Sequence, residues 1–286
     1  ITVITPVFAP QAAAGDEPLL YVACRGHHAD VGGITPGSMP PFSREIGEEG
    51  LLLDNVALLR GGELLEAQWR RLMAAGPHPV RDPDQLLADL QAQVAANRLG
   101  QAELQRLMRR QGVKEVCRYL GHVQANAAEA VRGVIDRLHD GSRTVELDDG
   151  SRIAVRVSID HGARRARIDF SGTSAQQEGN ANAPLAITRA VVLYVFRCLV
   201  GQDMPLNAGC FEPIELVVPE GCLLRPRPPA AVVAGNVETS QAVANALFAA
   251  LGVMAAAQGT MNNLSFGNER CQYYETLCGG SARCRS

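Results

Sequence analysis

The sequence predicts an α+β fold: mixed sheets, whose strand order the sequence does not set, interrupted by a helical insert. Three observations predict it. Residues 1–61 run or alternate apolar between turn residues, residues 62–141 repeat apolar residues at helical spacing, and residues 142–286 combine a β meander, two apolar helices and loops rich in Asn and Gly. The same three stretches are the expected domains.

The elements follow in order. Ile1 to Phe8 and Leu19 to Cys24 read as strands, parted by a turn of Pro, Ala, Gly and Asp residues. Residues 34–50 form a loop rich in Pro and Gly, long enough to be expected to carry function. Asn55 to Arg60 reads as another strand. Glu63 to Ala75 places Leu64, Leu65, Trp69 and Leu72 on one helical face. Asp82-Pro83 is a helix start, an acid at the cap and a proline in the first turn, and Gly112 is its stop. Lys114 to Leu138 is a further helix with Val116, Tyr119, Leu120, Val123, Val131, Val134 and Leu138 as its apolar stripe; His122, beside the stripe, reads as a hydrogen-bonded structural histidine.

Asp148-Asp149-Gly150 marks a hairpin turn between Thr144–Leu147 and Ile153–Ile159, and Arg164 to Phe170 returns as a third strand. Helices are expected at Leu185 to Val200 and Ala242 to Met254, the latter capped by Asn236 or Thr239. A strand is expected at Ile214 to Val218, with short strands near Phe266 and Tyr273.

Composition narrows the function classes. With 286 residues and 47% hydrophobic content the chain can bury a proper core. A net charge of −3 announces no nucleic-acid surface, and no apolar run is long enough to span a bilayer. Eight scattered cysteines, with no CxxC pair, point to a reducing, cytoplasmic setting. The chain opens on a strand without Met and closes on Ala282-Arg283-Cys284-Arg285-Ser286 after Gly279-Gly280, so both ends are expected to have been cut from something larger.

Chemistry concentrates at Gly26-His27-His28-Ala29-Asp30-Val31-Gly32-Gly33. Two imidazoles and a carboxylate follow a buried-strand pattern and precede two glycines, so ligand-type side chains sit where a strand ends in a turn. On an extended chain His27 and His28 point opposite ways. One ion is therefore not expected to take both imidazoles; His27 is the metal-ligand candidate, His28 a catalytic or substrate-contacting neighbour, and Asp30 a metal-site group or a turn former. Asn180, Asn182, Asn236, Thr239, Ser240, Asn262 and Asn263 lie beside glycine turns and read as a pocket for an amide-bearing ring, although each taken singly also suits a turn or a cap. Glu238, the acid among them, is the candidate general base.

Five segments in order, Gly26 to Gly33, Ile34 to Pro40, Gly121-His122-Val123-Gln124, Gly235 to Gln241 and Gln258 to Asn263, resemble the hydantoinase B/5-oxoprolinase family over nearly the whole chain. The resemblance implies part of an ATP-dependent hydrolase that opens cyclic amides such as 5-oxoproline or hydantoins. It implies a hydantoinase A-type partner that handles ATP and Mg, and an oligomeric assembly. It also implies a divalent metal (Zn, Mn or Fe), held by His27 together with a His and an Asp of a His-Leu-Pro-Asp segment directly before Ile1, so this chain alone is expected to be inactive. The alternatives it leaves are a B-type subunit of a ketone carboxylase and a non-catalytic scaffold for the A-type partner.

Overall fold

Strand β1 (Thr2–Val7) alternates Val3 and Val7, both buried, with Ile4, which is exposed. It pairs antiparallel with β2 (Leu20–Arg25), Thr2 opposite Arg25 and Val7 opposite Leu20. The computed structural model describes residues 1–13, 15–201, 203–255, 261, 263–268 and 272–277. After the hairpin come α1 (Ile46–Glu49), β3 (Leu59–Arg60), β4 (Glu63–Leu64), α2 (Glu66–Met73), α3 (Pro83–Gln111) and α4 (Val113–Ile135). Then come β5 (Gly141–Glu146), β6 (Arg152–Asp160), β7 (Arg165–Asp169), α5 (Leu185–Val200), β8 (Ile214–Val217), α6 (Thr239–Leu251), β9 (Asn263–Gly267) and β10 (Gln272–Thr276). This is an α+β fold with mixed sheets, as expected. It divides into two units, residues 1–40 with 47–122 and residues 41–46 with 123–286.

In the first unit α3 lies against the β1–β2 hairpin. Its apolar face, Leu86, Leu87, Leu90 and Val94, shares a core with Val3, Leu58, Trp69 and Met73. A second, polar stripe runs beside that face at steps of four residues. Gln93 Nε2 donates to the carbonyls of Cys24 (2.9 Å) and Ile1 (3.2 Å), Asn97 Nδ2 to Val3 (2.9 Å), and Gln101 Nε2 to Pro6 (3.2 Å). The hairpin is thus pinned to the helix by side-chain amides as well as by apolar contact. A Cβ on Gly100 would stand 3.0 Å from a Val22 methyl, so the bare glycine allows this approach.

The helix begins where its residues dictate. Asp82 accepts from the Gln85 amide at 3.0 Å, Pro83 is the first helical residue, and Gly112 ends it at φ 87°. Asp82→Ala should lower stability by about 1 kcal/mol, the usual worth of such a cap, read as a shift in the denaturation midpoint at constant slope.

Three expectations are corrected here. Of Asn55 to Arg60 only Leu59 and Arg60 pair as a strand, because the partner β4 is itself two residues long. The stripe of α4 is not continuous: Val116, Val131 and Val134 are buried, but Tyr119, Leu120 and Val123 are exposed. The exposed part falls where the helix leaves the first unit and enters the second, and periodicity alone does not reveal where a neighbour stops. His122, read as a hydrogen-bonded structural histidine, is exposed and meets Tyr119 edge-on at a ring separation of 5.8 Å.

The second unit is built on the sheet β5–β6–β7–β8, antiparallel except for the parallel pair β7–β8. The inward residues Ile153, Val155, Val157, Ala166 and Ile168 pack with the end of α4, with α5 and with α6. A Cβ on Gly141 would lie 1.9 Å from the Ala250 carbonyl, so α6 meets β5 backbone to backbone. Among the described residues no helix is long and apolar enough to cross a membrane, and Cys24, Cys117, Cys198, Cys210 and Cys222 are free thiols. Cys271, Cys278 and Cys284 lie outside the described residues.

Candidate active site

The hairpin carries the His27–Gly33 segment at one end. There the Ile1 amine donates to the Gly26 carbonyl at 2.9 Å and the Gly26 amide to the Ile1 carbonyl at 3.0 Å. The next two side chains diverge as extended chain requires: the His28 side chain is 2% exposed, whereas His27 is exposed.

His28 is locked from behind by α3. Its Nε2 lies 3.2 Å from Gln93 Oε1, and its Nδ1 lies 3.4 Å from Asp89 Oδ2 without the alignment of a hydrogen bond. Because the Gln93 amide nitrogen already serves two carbonyls, its oxygen is the acceptor and the hydrogen-bond network assigns the imidazole proton to Nε2. Burial holds the His28 imidazole below its ordinary value of 6.5, and the Ile1 amine pushes the same way against the opposing pull of Asp89. The unfolded chain therefore takes up a proton near 6.5 that the folded chain resists, so stability should fall as pH drops below about 6.5 and be untouched above it. Thermal denaturation between about pH 7.5 and 5 should show a smaller loss for His28→Gln than for the parent chain.

Asp30 is committed to the turn. Its carboxylate accepts from the Arg81 amide (2.8 Å) and from Arg81 Nη1 (2.7 Å), while Arg81 Nη2 donates to the Gly33 carbonyl (2.6 Å). Ser38 Oγ accepts from the Val31 amide at 2.8 Å and donates to the Gly32 carbonyl at 2.9 Å. Gly32 and Gly33 have φ of 86° and 92°, and added Cβ atoms would strike the His78 and Glu48 carbonyls at 2.6 and 2.7 Å. Only glycine serves at either position. The turn is held on all sides, and His27 is presented from it with no hydrogen bond or ion pair among the described residues. No group of three or more His, Cys, Asp or Glu among those residues could hold a metal ion. Among the described residues His27 is the donor that the turn presents.

The Asn- and Gly-rich loops meet in the second unit. Asn182, fully buried, donates to the carbonyls of Gln177 (3.1 Å), Gly179 (2.8 Å) and Ala231 (2.9 Å), and accepts from the Gln177 amide (2.8 Å). Its two N–H hydrogens are shared among three carbonyls, and each of these partners is backbone. Asn180 Nδ2 lies 3.3 Å from the Oγ of buried Ser43, and its carbonyl accepts from the Ala234 amide at 3.0 Å. Buried Thr239 donates to the Ala181 carbonyl, and buried Ser240 turns back on the Asn236 carbonyl at 2.6 Å. Gly235 is pressed against this knot: a Cβ there would lie 2.2 Å from the Asn182 carbonyl.

The structure thus brings Asn180, Asn182 and Thr239 together, but as ties between loops. Asn236 and Glu238 remain exposed beside them. Neither Asn236 nor Thr239 caps α6. The helix starts at Thr239 itself, and the residue before it, Glu238, makes no side-chain cap bond. Asn262 lies outside the described residues, and Asn263 opens β9 opposite Thr276. The sequence reading missed Asp89, Gln93, Arg81 and Ser38. Only Gln93 left a signal, the polar series Gln93, Asn97 and Gln101 at helical spacing.

The model of the hydantoinase B/oxoprolinase family matches residues 1–285. A 5-oxoprolinase of Dictyostelium discoideum is 41% identical over 98% of this chain and 22% of its own length. A 5-oxoprolinase of Arabidopsis thaliana is 42% identical over 98% of this chain and 24% of its own length. The chain therefore spans about a quarter of the length of these curated relatives. An ATP-dependent caprolactamase from Pseudomonas jessenii shares the fold, with a TM-score of 0.77 at 22% identity over 96% of this chain and 48% of that one.

Proposed function

Because this chain belongs to the hydantoinase B/oxoprolinase family, we propose that it contributes the ring-opening part of an ATP-dependent hydrolase of cyclic amides, working with a hydantoinase A-type partner that handles ATP. The observation that carries this reading is the geometry of His27: an exposed imidazole on a turn fixed by the Asp30–Arg81 and Ser38 hydrogen bonds. The backbone that carries the imidazole is therefore set before substrate arrives, while the ring itself stays free to meet it.

The chemistry asked of it is hydrolysis of a ring C–N bond. Water adds to the carbonyl carbon and loses a proton, then the bond to the ring nitrogen breaks and that nitrogen takes up a proton. An imidazole can accept the first proton and return it to the leaving nitrogen. Gln93 ties the Ile1 and Cys24 carbonyls and His28 on the near side of the turn, and the Asp30–Arg81 pair fixes the far side. In this reading a divalent ion, if bound, would take His27 as one ligand and would polarise the ring carbonyl.

The test is ring opening of 5-oxoproline and of hydantoin by the chain assembled with its A-type partner and ATP. Turnover that needs His27 supports the reading. Turnover by the partner with any inert binder in place of this chain would leave the chain a scaffold.

A further inference from the structure

The segment that follows the His27 turn folds back onto it. Pro36, Gly37 and Ser38 make one tight helical turn, and the side chain of Ser38 reaches the turn before it. Its Oγ accepts from the Val31 amide at 2.8 Å and donates to the Gly32 carbonyl at 2.9 Å. One hydroxyl thus spans the Val31–Gly32 pair from end to end. Other main-chain groups of the turn are held from farther away in the chain: the Val31 carbonyl by the Leu51 amide (2.8 Å), the Gly33 amide by the His78 carbonyl (3.1 Å) and the Gly33 carbonyl by Arg81 (2.6 Å).

The Ser38 contact is made at a local cost. Ser38 has φ 52°, in the left-handed region that a residue with a Cβ adopts rarely and unfavourably. Three residues earlier, the Thr35 hydroxyl is buried with no hydrogen-bond partner among the described residues. Backbone strain and unsatisfied polar atoms of this kind collect at functional sites, where a side chain has to reach one particular place. Here both costs fall on the loop that reaches the turn carrying the exposed imidazole, and the reach ends in two hydrogen bonds to that turn.

We propose, on the reading that His27 transfers the proton, that Ser38 is a positioning residue for it. The left-handed backbone brings the hydroxyl to Val31 and Gly32, and the hydroxyl fixes the path of those residues and so the place from which His27 meets the substrate. Ser38 touches no reacting atom in this role. Its loss frees the Val31 amide and the Gly32 carbonyl and lets the turn shift. A shift of about 1 Å in a reacting group costs about a hundredfold in rate.

Three variants of the enzyme assembled with its A-type partner and ATP separate the hydroxyl from the backbone. Ser38→Ala and Ser38→Gly both remove the hydroxyl, but glycine relieves the strained φ, so Ser38→Gly should be the more stable of the two. Ser38→Thr keeps the hydroxyl and adds a β-branch that the left-handed region tolerates poorly. Ring-opening turnover should follow the hydroxyl. In both Ser38→Ala and Ser38→Gly, kcat should fall tenfold or more with KM within twofold of the parent, whereas Ser38→Thr should stay within threefold. The Val31 amide should exchange at least tenfold faster in the first two and not in the third. Should Ser38→Ala fail to fold, Ser38→Gly against Ser38→Thr carries the same comparison.

His27→Ala is measured beside them. If turnover follows stability, with Ser38→Gly better than Ser38→Ala and Ser38→Thr as poor as either, Ser38 is a structural tie and the proposal is overturned. It is overturned alone if His27→Ala loses turnover while Ser38→Ala and Ser38→Gly keep it. If His27→Ala turns over normally, the reading of His27 fails and the role of Ser38 fails with it.

Discussion

Asn182→Ala should lower the stability of the second unit by about 3 kcal/mol or more. The substitution strips partners from the carbonyls of Gln177, Gly179 and Ala231 and from the Gln177 amide. The bond to Ala231 is buried and the others part-buried; a buried group left bare costs about 1–3 kcal/mol, a half-exposed one less, and the emptied Asn182 site adds a cavity. Few single substitutions outside an apolar core reach this size. Urea denaturation measures it. Asn182→Asp separates geometry from volume: it keeps the side-chain shape but turns a carboxylate oxygen toward three carbonyls, so it should be no less damaging. A residue whose role was only to touch substrate would leave stability unchanged and alter substrate affinity instead.

His27→Ala should do the reverse. The side chain is exposed and unbonded, so stability should move by no more than about 0.5 kcal/mol. Ring-opening turnover of the assembled enzyme should fall by about a hundredfold or more, within the range that a positioned proton-transfer group supplies. ATP consumption should persist, because that chemistry belongs to the partner in this reading. His28→Ala should damage both quantities, since it removes the wedge between Gln93 and Asp89 that holds the turn.

Local chemistry was the most readable part of the sequence. Asp82-Pro83 and Gly112 bracket α3 because capping and φ > 0 are demands that single residues meet. Asp148-Asp149-Gly150 turns between β5 and β6 for the same reason, and the apolar run Leu185 to Val200 is α5 to the residue. Tertiary demands were not readable. Nothing in the local pattern of α4 shows that Tyr119 to Val123 lies where the helix passes between units. An asparagine beside a glycine turn looks the same whether it meets a ligand or ties two loops, and Asn182 does the second. The divergence of His27 and His28 was legible from the alternation of an extended chain. Which of the two is buried was not, because that is decided by Asp89 and Gln93, more than sixty residues away on another element.

The central claim is that this chain performs ring opening rather than merely supporting a partner that does. The most direct measurement is the number of rings opened per ATP consumed by the assembled enzyme, with His27 and with His27→Ala. The account predicts that the ratio collapses in the variant while ATP continues to be spent. An unchanged ratio would place the whole reaction in the partner and contradict it.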